Sequence, residues 1–159
     1  MNVSRLTGLA ISSGCWSGLL SAATLLMASR SNGRRALTGL NAPSHWFFGE
    51  RAVHAQHPSW KYTLVGALTH QASAFFWGVM YAASRTRRAA DQHGGPRIAA
   101  EAALFTAVAA TVDLVIVPKR LTPGFERHLS SRALTGVYAA FALGLAVAAL
   151  SERRPASSD

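Results

Sequence analysis

The chain has 159 residues, half of them hydrophobic and only 14% charged, with a net charge of +9. That length is one domain, and charges confined to short segments between apolar runs form a membrane distribution, not that of a soluble globule. The basic residues flank the runs without interleaved aromatics, which excludes nucleic acid and points to the lipid bilayer as partner, while the single cysteine, Cys15, excludes an intrachain disulfide and a thiolate metal cluster.

Residues 6–29, LTGLAISSGCWSGLLSAATLLMAS, would span about 35 Å as a helix, enough for a hydrocarbon core of about 30 Å. The run is long, broken by Gly and Ser, and has no A-x-A site, so it reads as a retained span and not a signal peptide. Ala10, Gly14, Gly18 and Ala22 make a four-step stripe of small residues, with Ser13, Ser17 and Ser21 on the adjacent lane. Such a small-xxx-small face suits close packing against another helix.

Residues 30–60 form the long hydrophilic segment. Asn41 with Pro43 is a helix start and Pro58 a stop, so an interfacial helix is expected between them. Trp46, Phe47 and Phe48 would dip into the headgroup layer, with Trp60 and Tyr62 at the start of the next span. On a helix, Glu50, His54 and His57 fall at i, i+4 and i+7 on one side, with His45 rotated away. Carboxylate and imidazole are metal ligands and proton carriers, so Glu50, His54 and His57 are weak metal candidates. A solvated polar face explains the same pattern, and the compact HExxH spacing is absent.

Residues 62–85 form the second apolar run, with His70 well inside it. Gly66, His70, Ala74 and Gly78 recur every four residues and share one face, so His70 is expected to point at protein. Thr63, Ser73, Trp77 and Tyr81 fall near the same face. A basic connector with a Gly-Gly-Pro breaker follows. The third run, residues 98–117, opens on Glu101, expected in a surface pair with Arg97, and carries Asp113 near its end.

Pro118, Lys119, Arg120 and the Pro123-Gly124 turn then stop the helix and mark an interface. The fourth run, residues 133–150, carries a further stripe, Gly136, Ala140, Gly144 and Ala148. Residues 151–159 read as a polar disordered tail. The pentapeptide RALTG occurs at 35–39 and at 132–136, a thin sign of a duplicated two-helix unit.

The expected fold is therefore all-α, a four-transmembrane-helix bundle over residues 1–150 with an interfacial helix in the first loop. It puts the long first loop and the Pro118 loop at one membrane face. Lys and Arg divide almost evenly between the two faces, so charge bias does not orient the bundle, although the dense middle loop leans toward cytoplasmic termini. His70, Asp113 and Ser73 form an expected intramembrane polar site. His45, Glu50, His54, His57, Lys119 and Arg120 form an interfacial one. The alternative is that His70 bonds a serine or carbonyl across the bundle and Asp113 is drawn to Lys119 or Arg120.

NAPSHW at 41–46, THQASAFFW at 69–77 and PKRLTPGFE at 118–126 resemble segments of a group of small uncharacterised bacterial four-span membrane proteins. The resemblance implies a multi-pass inner-membrane fold and supplies no activity. No motif identifies a reaction, and no cofactor is expected. Three readings stay open: proton-responsive transport or ligand binding through a His/Asp pair, by a homo-oligomer; an accessory subunit packed on a membrane partner protein; and an interfacial metal-dependent enzyme.

Overall fold

A computed structural model describes residues 3–87 and 94–152 and is all-helical over them. Four long helices carry the architecture: α1 (Val3–Ser31), α5 (Val65–Arg87), α6 (Gly95–Thr111) and α7 (Ser131–Ser151). The first loop holds α2 (Leu37–Asn41), a 3-10 turn (Ala42–Ser44), α3 (His45–Phe48) and α4 (Glu50–Val53). Wide π turns lead into α5 (Trp60–Leu64) and extend α6 (Val112–Ile116). Most of the middle basic connector and the tail from residue 153 lie outside the described residues; Ser151, assigned to that tail by the sequence reading, closes α7.

Three segments are long and apolar enough to cross a membrane: Val3–Ser31, Gly95–Ile116 and Ser131–Ser151. Helix α5 matches them in length, but His70, Gln71 and Ser73 lower its hydropathy. The boundaries follow local chemistry. Ser59 caps the start of the α5 segment by accepting from Tyr62 N, Pro96 occupies the first turn of α6, and Ser130 caps α7 by accepting from Ala133 N.

Helix α1 packs against both α5 and α7, and α6 lies against α7. Small residues set these distances. A Cβ placed on Gly78 of α5 would sit 2.7 Å from Gly14 N of α1, and one on Gly144 of α7 would sit 2.4 Å from Ser17 Cα. Those obstacles are backbone, so only glycine lets the helices approach this far. The α5 stripe continues under the loop, where a Cβ on Gly66 would lie 2.1 Å from Leu40 O. Gly136 stands apart, with open space around it, so the α7 stripe is used in its second half.

Buried Ser17 and Ser21 satisfy their hydroxyls within α1, donating to Ser13 O and Ser17 O at 2.6 Å each. This back-bonding keeps the serine lane compact enough for α7 to press on it.

Helices α5 and α6 meet toward the end of the bundle where they are connected. There Phe105 packs edge-on against Trp77 and Tyr81, and Arg85 pairs with Glu101. Arg85 is only 6% exposed. Glu101, expected to pair on the surface with Arg97, thus has its closer partner across the helix interface; Arg97 Nε stands at 3.6 Å. The two RALTG copies adopt unlike roles, the first running into short α2 and the second opening α7.

Gly78→Val is expected to destabilise the bundle by about 1–3 kcal/mol, because the new atoms meet backbone that has no rotamer to yield. Gly136→Ala, placed in open space, should lose nothing. Denaturant titration in mixed micelles checks the pair, and equal midpoints for wild type and Gly78→Val would refute the close-approach argument.

Candidate functional site

His70 reaches across from α5 to α1. Its Nε2 lies 3.0 Å from Ser21 Oγ and 3.3 Å from Gly18 O. A carbonyl only accepts, so Nε2 carries the proton and Nδ1 is left as the ring's acceptor. One position on, Gln71 Nε2 donates to Gly14 O at 2.8 Å. The polar residues that dilute the hydropathy of α5 thus bond to α1.

Asp113 sits in the π turn that extends α6. Oδ1 accepts from Trp77 Nε1 at 3.3 Å and Oδ2 from Tyr138 OH at 3.4 Å, so one carboxyl joins α5, α6 and α7. The wide turn re-aims this side chain, and such turns recur at functional sites. Among the described residues no ion pair links Asp113 to Lys119 or Arg120, and no hydrogen bond links it to His70. His70 thus bonds a serine and a carbonyl across the bundle, the alternative left open by the sequence, and Asp113 has separate neutral partners.

The two groups nevertheless border one space. A cavity of about 750 Å³ lies where α5 diverges from α6 and α7 toward the loop end, and both His70 and Asp113 line it. Its other walls are mostly apolar, among them Leu68, Phe76, Val112, Val137 and Phe141, with Ser73, Trp77 and Tyr138 adding polar atoms. Leu68 and Phe76 are 60% and 58% exposed, so the hollow reaches the lateral surface. Of the other residues placed near the His70 face by spacing, Thr63 instead donates to Asn41 Oδ1 at 2.7 Å, and Tyr81 is buried beside Phe105.

The interfacial set separates. The helix expected from Asn41 to Pro58 breaks at Gly49, where φ is +66°, and ends at Val53. His57 is therefore off the helix and out of register with Glu50. Glu50 pairs with Arg127 at 2.6 Å, Arg35 donates to His57 Nδ1 at 3.3 Å, and His54 meets the His128 ring edge-on. Among the described residues no three His, Cys, Asp or Glu side chains converge as a metal would require.

These groups instead clasp the first loop to the loop before α7. His45 Nε2 and Trp46 Nε1 both donate to Thr122 O at 2.9 Å, and His128 Nε2 donates to Val53 O at 2.7 Å. Gly124, at φ +86°, lets the turn pass close to His45, where a Cβ would be 2.7 Å from the ring. Fully buried Asn41 is a second pivot, donating to Ala55 O at 2.9 Å. Spacing gave Asn41 only a helix-start role, because its partners lie 14 and more residues away. Arg35 and Arg127 likewise carried no signal beyond their charge.

Comparison with models of known protein families, with curated proteins and with solved structures finds no match to this chain.

Burial of its ring, with Arg34 and His54 nearby, holds His128 below the ordinary histidine range, against the opposing pull of Val53 O and Glu126. The unfolded chain then takes up this proton first as pH falls. The stability of the clasp should therefore drop from about pH 6.5 downward, until the lower folded-state value is passed. Hydrogen exchange across residues 117–130 at pH 7.5 and 5.5 reads this, and His128→Gln should flatten the difference; an unchanged pH response in that variant would exclude His128 as its source.

Proposed function

We propose that this chain is a multi-pass inner-membrane protein of four spans that binds an apolar, chain-bearing ligand in the lateral cavity, with Asp113 and His70 available to its polar group. The observation that carries this reading is the cavity itself: an apolar hollow of about 750 Å³ with a few convergent polar atoms, open to the side of the bundle. A hydrophobic molecule entering from the bilayer would bury its chain against Leu68, Phe76 and Phe141. Each Asp113 oxygen takes one long bond from a neutral donor, which leaves lone pairs for a ligand hydroxyl or amide.

The membrane setting is supported by large apolar side chains on outer faces, including Leu19, Phe76, Leu104 and Leu143, all more than half exposed. Helix α5 acts as the fourth span because it lies against α1 and its His70 and Gln71 bond to that neighbour, not to lipid. The interfacial segment in the first loop is the stretch holding Phe47, 67% exposed, and Trp60, 86% exposed, aromatics suited to the headgroup layer. Ligand binding is favoured over a proton relay because His70 and Asp113 are bonded to different partners across a mostly apolar space.

Photolabelling with an uncharged long-chain alcohol bearing a diazirine tests the proposal in detergent and in bilayers. Label is expected on peptides containing Leu68, Phe76, Val112 and Val137, and Ser73→Phe should reduce it severalfold there while leaving label near Leu19 and Leu143 unchanged. Uniform labelling of all outer faces, insensitive to Ser73→Phe, would overturn the reading.

A further inference from the structure

A second hollow adjoins the first. A cleft of about 830 Å³ lies between the first loop and the loop before α7, and Trp46 and Phe47 line both spaces. Trp46 is held in place by its bond to Thr122 O, so the shared wall is fixed by the clasp. The cleft differs from the cavity in its charges: Lys119, Arg120 and Arg127 against Glu50 and Glu126.

These charges are unequally engaged. Arg127 spends its guanidinium on Glu50, at 2.6 and 2.8 Å to the two oxygens, with Glu126 a further 3.9 Å neighbour. Glu126 also accepts from Thr122 Oγ1 at 2.7 Å. Both acids are thus provided for. Lys119 and Arg120 are exposed on the cleft, and among the described residues no ion pair or side-chain hydrogen bond engages either of them. Two adjacent cations placed just beyond a membrane-capable segment suit an anionic headgroup, with Arg supplying a planar fork and Lys a point charge.

Resting on the ligand-binding reading above, we propose that the two hollows form one site for an anionic membrane phospholipid. Its phosphate is met by Lys119 and Arg120 in the cleft, and one acyl chain passes Trp46 and Phe47 into the apolar cavity. Charge complementarity selects the acidic headgroup and the continuity of the two spaces selects an amphiphile over a free anion. Asp113 does not oppose this, since it borders the chain compartment and its oxygens face Trp77 and Tyr138.

Native mass spectrometry of the full chain in an uncharged detergent tests it, by titration with phosphatidylglycerol, with phosphatidylcholine of matched chains and with soluble glycerol phosphate. Phosphatidylglycerol is expected to bind roughly tenfold more tightly than phosphatidylcholine, by the attraction of two basic groups, and glycerol phosphate far more weakly than either lipid. Lys119→Ala/Arg120→Ala should bring phosphatidylglycerol down to the phosphatidylcholine level without moving the unfolding midpoint. Equal binding of the two lipids to wild type, or a preference that survives in the double variant, overturns the headgroup assignment and leaves the apolar cavity standing. Glycerol phosphate binding as tightly as the lipid would show a simple anion site and overturn it, as would a dimer that excludes lipid. Failure of either lipid to bind overturns both readings.

Discussion

Everything in this bundle depends on how closely α5 and α7 both approach α1. Glycines at 78 and 144 place α5 and α7 against the α1 backbone, at distances that a single methyl group would forbid. In a bilayer the hydrophobic effect does not drive helices together, so contact must come from dispersion between surfaces that fit. Central α1 is then the element on which the others are registered, and in its serine lane the Ser17 and Ser21 hydroxyls each find a carbonyl one turn back.

That centring has a geometric consequence. With α5 and α7 both committed to α1, and α6 to α7, nothing draws α5 and α6 together along their whole length. They are tied toward one end by Arg85 with Glu101 and by the Phe105 contacts, and diverge toward the other. The cavity is the space left by this divergence. Its polar groups are sited by separate devices: His70 by its bonds to α1, and Asp113 by a π turn that presents it to Trp77 and Tyr138.

The histidines of the loop face are spent differently from what their spacing suggests. His45 and His128 donate to backbone carbonyls, and Glu50 is taken by Arg127, so they fasten one loop to the other. Buried carbonyls require donors, and imidazole N–H groups answer that need as readily as they would a metal. The same clasp fixes Trp46 between two hollows, and so gives the chemistry of the loops a bearing on the cavity between the helices.

Hydropathy and spacing along the chain were enough for the all-helical class, the ends of the four long segments to within a few residues, the four-residue stripes and the inward direction of His70. These are local matters: hydropathy runs, proline and serine stops, and a period of 3.6 residues fix them without knowledge of any neighbour. Which residues meet was legible only once the helices were packed. The pairing of Arg85 with Glu101, the triangle of Asp113 with Trp77 and Tyr138, and the scattering of Glu50, His54 and His57 onto separate partners all join residues from different elements. Spacing along one helix carries no information about the rotation of another, and the helix that would align Glu50, His54 and His57 ends at Val53, before His57 is reached.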